Sequence, residues 1–428
     1  MIQKLTINNF LSFTDEVNFS FEASNDKFAE DYQVVKINDN TRLLRFAIIY
    51  GYNASGKSNL LKAFQFLNFF WFNDTEDLDQ NTKVEPFELD IVSINEPSVF
   101  DLVFIVENIK YRYQLELDKN QVYFEKLSYY ETTQPIKLFE RVLKDNKSLI
   151  IFGSDLKLNK TTKQLIDGYC LNNMSFFAAR KKVNATIPFV DSVRKYMKTM
   201  VMGIITPDTK LTEYAKKKIS NNNSLLSYLL SFLRNADFNV TNIKTKVSKK
   251  DVPEELRNIF IKDSNLPDNV KKDILSNNVY MEEMLTLFEH TVENERGVET
   301  YTLSLDNGQE SDGTVRIFGL ETALYNALTN NAFLAVDEIE TSLHPKLLER
   351  MIFEFLKTSS TSQLIVTTHN DGLLDLINNL IRKDSVWFTE KQKSGVTDLY
   401  KLTDFRGVNR LSSIREAYRN KRFGATMN

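Results

Sequence analysis

Gly51-Tyr-Asn-Ala-Ser-Gly-Lys-Ser58 lies between the apolar run Leu43 to Tyr50 and a segment carrying Leu60, Leu61, Ala63, Phe64 and Leu67. The run before it reads as a buried strand, and the spacing after it keeps one apolar stripe on a helix. A glycine-bearing loop between a strand and a helix can hold an anion. Its two glycines let backbone N–H groups curl inward, and the start of the helix adds its positive end. Read this way, Asn53, Ala54, Ser55, Gly56, Lys57, Ser58 and Asn59 surround the phosphates of a nucleotide. Lys57 reaches the terminal phosphates and Ser58 ligates Mg²⁺. ATP and Mg²⁺ are therefore the expected cofactors.

Two further strand ends supply what such a loop lacks. Ala332-Phe-Leu-Ala-Val-Asp337-Glu338 is an apolar strand closing on two acids. That arrangement puts Asp337 on the metal and Glu338 beside an attacking water as general base. Leu364-Ile-Val-Thr-Thr-His369-Asn370 is another apolar strand, ending on one of only 3 histidines. A neutral imidazole there can hydrogen-bond the terminal phosphate or the water, so His369 joins Glu338 as a catalytic candidate.

Composition narrows the class without choosing a partner. A chain of 428 residues with 42% hydrophobic and 26% charged residues has ordinary globular character and can bury a large core. A formal net charge of −3 argues against a uniformly basic nucleic-acid coat. Cys170 is the single cysteine, which excludes an intrachain disulfide and a cysteine zinc cluster and fits a reducing cytoplasm. Apolar runs stay strand-sized, far short of the ~20 residues of a membrane-spanning helix, and Met1 to Phe13 alternates like a strand instead of resembling a signal peptide.

Along the chain the pattern changes twice. Between Val99 and Tyr130, alternating runs separated by Glu107-Asn108 and Asp118-Lys119-Asn120 read as an antiparallel meander. The middle turns Lys- and Asn-rich, without heptads long enough for a coiled-coil arm. From Tyr301, strand and helix alternate again. Three parts are expected: an amino-terminal lobe over 1–135, an inserted, mainly helical domain over 136–294, and a carboxyl-terminal lobe over 295–428. The runs Arg180-Lys181-Lys182 and Lys216-Lys217-Lys218 are either solvated helix faces or phosphate contacts for DNA.

Taken together, these motifs resemble the ABC ATPase superfamily in its soluble SMC/RecF/OLD-like branch, and most closely the small RloA-like ATPases. Ile7-Asn8-Asn9-Phe10-Leu11-Ser12-Phe13 is similar to that branch's amino-terminal strand, whose loop lies near the nucleotide. Ser311-Asp312-Gly313-Thr314 looks like its signature, which implies that Ser311 and Gly313 bind the γ-phosphate held by a second subunit. Asp337 to Pro345 resembles Walker B running into a D-loop, with Ser342 and His344 near the seam, and Tyr418 to Ala425 is similar to the RloA-like tail. Gln114 sits in an alternating strand and takes no assigned role as the Q-loop glutamine. The resemblance implies an α/β ABC-type P-loop head, with an antiparallel β subdomain and an insert, working as a homodimer. It implies an ATPase that serves as the regulatory subunit of an antiphage system and controls a separate nuclease or toxin. Two alternatives stand beside it: a RecF-like repair ATPase clamping DNA, and a nucleotide-switched scaffold with little turnover.

Overall fold

The structure, a computed structural model, describes residues 1–220, 222–236, 239–251, 253–257, 280–295, 297–305 and 308–426. The chain divides into two compact units, Met1–Thr209 with Asn326–Asn428, and Lys210–Tyr325.

Two sheets make up the first unit. Strands β1 (Ile2–Asn8) and β2 (Val17–Ser20) form one end of a seven-stranded antiparallel sheet. Short elements follow: α1 (Glu30–Gln33) and the hairpin β3 (Val34–Asn38) with β4 (Thr41–Leu44). Next come β5 (Phe46–Tyr50) and α2 (Lys57–Phe72). The meander then runs through β6 (Ser98–Val106), β7 (Ile109–Leu117), β8 (Val122–Tyr130), β9 (Pro135–Lys144) and β10 (Lys147–Phe152), completing the order β10-β9-β8-β7-β6-β1-β2. After α3 (Lys160–Tyr169), α4 (Phe176–Lys181) and α5 (Pro188–Met200), β11 (Val201–Ile205) enters the second sheet.

The second unit holds α6 (Thr212–Ile219), α7 (Asn223–Asn235) and the strands β12 (Val240–Asp251), β13 (Tyr280–Asn294) and β14 (Gly297–Ser304). These strands form a three-stranded antiparallel sheet. The first part of α8 (Asp312–Asn330) belongs to this unit, and Phe318 on it meets Phe288 of β13 edge-on at 5.3 Å.

Returning to the first unit, β15 (Phe333–Val336), α9 (Pro345–Lys357), β16 (Gln363–Thr368), β17 (Val386–Lys391) and β18 (Thr397–Lys401) complete a six-stranded sheet of order β11-β15-β16-β5-β17-β18. Every pairing is parallel except β17 with β18. Helix α10 (Ile414–Arg419) closes the chain. Strands β5, β15 and β16 are buried throughout, as expected of interior parallel strands covered on both faces.

Helix α2 packs a broad apolar face against both sheets and turns Lys62, Gln65 and Phe69 to solvent. Phe64 meets Phe333 of the parallel sheet at 4.8 Å, while Phe66 meets Phe100 at 5.1 Å and Trp71 meets Tyr113 at 4.6 Å on the antiparallel side. Buried Gln363 stitches the two sheets directly. Its Oε1 accepts from Ile2 N–H at 2.6 Å and its Nε2 donates to Ile2 O at 2.8 Å.

The α/β class with an antiparallel subdomain is as expected, but the expected parts are not the compact units. Residues 136–209 belong with the first unit, because β9 and β10 extend the meander and α4 is anchored to it by a buried network. Arg141 on β9 pairs with Glu125 on β8 at 3.2 Å, with both side chains fully buried. Arg141 also donates to Leu171 O at 2.7 Å, and Glu125 accepts from Phe176 N–H at 2.9 Å at the start of α4. Burial pushes the Glu125 carboxyl above its ordinary range, and Arg141, Phe176 N–H and the Tyr113 hydroxyl oppose that shift. Among the described residues of the middle stretch, helices α3 to α7 stand beside the long antiparallel pair β12 and β13.

The basic runs are corrected as well. Arg180 is buried, donating to Val183 O at 2.7 Å and pairing with Asp191 at 3.0 Å. Lys181 and Lys182 both reach Asp74, at 3.3 and 2.9 Å, and Lys216 is buried against Glu213 at 2.7 Å. Lys218 lies over the Tyr214 ring at 5.6 Å, and Lys217 is exposed. Neither run forms a basic stripe.

Candidate functional site

Three neighbouring parallel strands, β15, β16 and β5, end side by side, and each end carries one part of the site. The phosphate loop follows β5, Asp337 and Glu338 follow β15, and His369 follows β16.

The loop holds a conformation that only its own residues permit. Gly56 sits at φ 101°, in the left-handed region, and a Cβ there would run into the Thr397 side chain. Ala54, at φ 62°, is also left-handed and lies on the exposed rim beside Asn53. Lys57 is buried. Its Nζ donates to Gly51 O at 2.9 Å and Tyr52 O at 3.2 Å, and it lies 3.0 Å from His369 Nε2. An ammonium can only donate, so the imidazole meets it as an acceptor and is neutral. Burial pulls Lys57 down to about 8, opposed by the nearby Asp337, Glu338 and Glu340 carboxylates. Burial and the Lys57 charge likewise hold His369 below the ordinary imidazole range.

Thr367, on β16, joins the two acids. Its hydroxyl donates to Asp337 Oδ1 at 2.5 Å and accepts from Glu338 N–H at 2.8 Å. One hydroxyl thereby orients the whole Asp337-Glu338 pair. Glu338 itself is left-handed at φ 46°, a conformation that costs a residue with a Cβ about 1–2 kcal/mol. Its Oε1 stands 3.8 Å from His369 Nε2. Glu340 accepts from the His369 backbone N–H, tying the acidic turn to the histidine turn.

Beneath the loop runs a chain of buried side-chain hydrogen bonds. Asn59 Nδ2 and Ser12 Oγ are 2.7 Å apart, Ser12 Oγ and Thr397 Oγ1 are 2.8 Å apart, and Thr397 Oγ1 lies 3.0 Å from Ser55 O. Ser12 Oγ accepts from the Asn59 amide and from the Thr397 hydroxyl, and the same Thr397 hydroxyl faces the Ser55 carbonyl as donor. Because the peptide is planar and trans, holding the Ser55 carbonyl toward Thr397 turns the Gly56 N–H away from Thr397. The Ser55 hydroxyl is fixed separately, 2.7 Å from Thr389 Oγ1.

The structure thus gathers Ser55, Gly56, Lys57, Asn59, Asp337, Glu338 and His369 in one place. These residues fit ATP and Mg²⁺. Among the described residues the Ser58 hydroxyl has no hydrogen-bond partner, and Thr367 engages only one oxygen of Asp337, so both retain a ligand position. Ser311 and Gly313 lie in the other compact unit, where Ser311 Oγ accepts from Thr314 N–H at 3.2 Å and caps α8. His344 caps α9 through Lys346 N–H at 3.3 Å, and Ser342 is left-handed at φ 62°. Gln114 is half-buried on β7, opposite Asp101 and Lys126. Thr367, Glu340, Thr389 and Thr397 escape a sequence reading because a threonine or glutamate near a strand end has no distinctive signal. Ser12 alone carries one, through the Asn-Phe-x-Ser-Phe pattern.

A family model described as "AAA domain, putative AbiEii toxin, Type IV TA system" matches residues 46–158 and 213–375, which include the phosphate loop and both later strand ends. The chain belongs to this AAA family. Its AAA domain carries the phosphate loop of a P-loop ATPase-type protein. No curated protein matches the chain. Among solved structures it is similar to the SMC head domain from Thermotoga maritima, at 13% identity over 94% of this chain and 98% of that one, with a TM-score of 0.41. An SMC head bound to the C-winged helix domain of ScpA is similar at 12% identity over 98% and 99%, with a TM-score of 0.44. An SMC head with an extended coiled coil, bound to the C-terminal domain of ScpA from Pyrococcus furiosus, is similar at 12% identity over 99% and 98%, with a TM-score of 0.39. Among the described residues no helix of this AAA-family chain is long and apolar enough to cross a membrane.

Proposed function

We propose that this chain hydrolyses ATP and uses the cycle to switch a homodimer that controls a separate effector. One observation carries the reading: Lys57 Nζ sits 3.0 Å from His369 Nε2, with Asp337 and Glu338 on the adjoining strand end and oriented by Thr367. Bound ATP with Mg²⁺ supplies the phosphoanhydride and the metal's charge. Lys57, Asn53, Ala54, Gly56 and Asn59 hold the phosphates, and Ser58 and Asp337 are the residues that hold the metal. Glu338 takes the proton from water at its carboxylate. His369, neutral and within reach of Lys57, donates or accepts a hydrogen bond at the same point and so couples β16 to the nucleotide.

In this proposal Ser311 and Gly313 bind the nucleotide of the partner subunit, so each closed site is shared between two copies. The family description, with its toxin of a type IV toxin–antitoxin system, supports a two-component setting in which the ATPase gates a nuclease or toxin, as in antiphage defence. A cytoplasmic setting accords with the buried, unpaired Cys170.

Glu338→Gln tests the reading. Turnover should fall about 10²–10⁴-fold, while ATP binding persists and the dimer accumulates. Unchanged turnover, measured by phosphate release, rejects Glu338 as the base.

A further inference from the structure

The carboxyl-terminal tail singled out in the sequence has no part in the nucleotide site. Residues 401–428 carry seven Lys and Arg against two acids, Asp404 and Glu416, in a chain whose net charge is −3. The fold places five of these cations in two groups, the second joined by Lys383. Arg415 and Arg419 on α10 are consumed by Asp371, at 3.0 and 2.5 Å, and they brace the turn that follows His369. Lys383, Arg406, Arg410 and Arg422 have no carboxylate partner among the described residues.

Three of those four line one open cleft of about 650 Å³, whose walls are Lys383, Thr403 and the run Phe405 to Arg410. The fourth reaches the same turn, since Arg422 Nη2 lies 3.6 Å from where a Cβ on Gly407 would stand. No acid lines the cleft. The tail that presents Arg422 is built in: Phe423 packs on Phe388 and Phe405 at 5.6 and 5.1 Å, and the Tyr418 hydroxyl donates to Ala425 O at 3.0 Å.

Position separates this cleft from the nucleotide. Lys383 precedes β17, and Thr403 to Arg410 follow the antiparallel β18, so both walls stand at the amino end of β17. The phosphate loop follows the carboxyl end of β5, which is parallel to β17. The cleft is therefore at the other end of the sheet, about 20 Å away along a strand of this length.

We propose that this cleft docks the phosphodiester backbone of a nucleic acid. Clustered, unneutralised arginines give up few internal contacts when they meet phosphates, and their planar forks fit phosphate oxygens in pairs. A protein partner would ordinarily anchor through a buried aromatic or aliphatic side chain. Among the described residues, no large apolar side chain from 383 to 426 is exposed to serve as such an anchor. A backbone that is all phosphate requires none.

The test is fluorescence anisotropy on the full chain, with short duplex DNA, single-stranded DNA and RNA as separate probes and polyglutamate as the acidic-protein control. The wild type should bind at least one nucleic acid with an affinity that falls steeply as salt rises. Arg406→Glu/Arg410→Glu should bind it about tenfold or more weakly, with the log–log salt slope reduced by about 2. Arg406→Gln/Arg410→Gln should show the same direction to a smaller extent. Unchanged ATP binding by both variants certifies the fold and keeps this result independent of the ATPase reading. Lys181→Gln/Lys182→Gln, whose cations are already paired, should bind like the wild type. The proposal is overturned if the wild type binds none of the nucleic acids, if charge reversal leaves binding unchanged, if the Lys181/Lys182 variant loses as much, or if polyglutamate binds as tightly.

Discussion

The phosphate loop and the carboxyl-terminal cleft both present cations, at opposite ends of the same parallel strands, and they treat charge in opposite ways. Lys57 is buried, held by two carbonyls and a neutral imidazole, and pulled down to about 8. Arg406 and Arg410 are exposed and unpaired. A buried cation held by fixed dipoles is preorganised for one anion in one geometry, and salt screens it little. An exposed cluster keeps its full hydration and suits a long polyanion, with binding that salt weakens. Arg141 shows the buried regime in a structural setting: fully enclosed, it pairs with Glu125 and donates to Ser148 Oγ on β10 and Leu171 O before α4.

The largest expected effect in this contrast is at Arg141. Arg141→Met would leave the Glu125 carboxylate buried without its partner, and stability should fall by about 3–5 kcal/mol. Urea unfolding checks this, and a loss below about 1 kcal/mol would mean that the pair is not what binds α3 to α5 to the first unit.

Next is the chain of hydrogen bonds under the loop. Thr397→Val removes the donor to the Ser55 carbonyl and leaves Ser12 Oγ with Asn59 as its one remaining side-chain donor, at about 1–3 kcal/mol for a buried polar group left unsatisfied. Titration with a fluorescent ATP analogue should show nucleotide binding about tenfold weaker, with Thr397→Ser close to wild type. Equal affinity for all three proteins would show that the loop holds its shape without this support.

The smallest effect per step is the pH response of Lys57. In the free protein its ammonium gives up a proton near pH 8, whereas phosphate oxygens beside it favour the charged form and raise its pKa in the complex. Between those two values binding takes up a proton. Affinity for ATP should therefore fall as pH rises above 8, by at most about tenfold per pH unit. Calorimetry in buffers of different ionisation enthalpy measures the proton directly. A flat affinity from neutral to alkaline pH would place Lys57 in the exposed regime with Arg406, and the contrast between the two ends of the sheet would fail.

How much of this was legible beforehand depended on whether the signal was local. Gly51 to Ser58, the strand before Asp337 and the strand before His369 announce themselves because a phosphate loop and buried parallel strands impose residue types at fixed short spacings. The meander from Val99 to Tyr130 was legible by its alternation. Its continuation through Pro135 to Phe152 does not stand apart from the Lys- and Asn-rich stretch that follows, and β12 and β13 fall inside the stretch expected to be mainly helical because polar strands lack a clear period. Lysine runs misled for a related reason, since charge along the chain says nothing of the Asp74, Asp191 or Glu213 that meets it in space.

The sequence by itself determined that a strand, a glycine loop and a helix would make an anion cradle, and that two more strands would end in acids and a histidine. Only the tertiary structure decided that these three ends lie side by side, that Thr367 and Thr397 orient them, and which arginines remain without a partner. The physical reason is range. Backbone conformation and periodicity act over a few residues, whereas hydrogen bonds and ion pairs act wherever the fold brings groups within reach, here across 342 residues between Ser55 and Thr397.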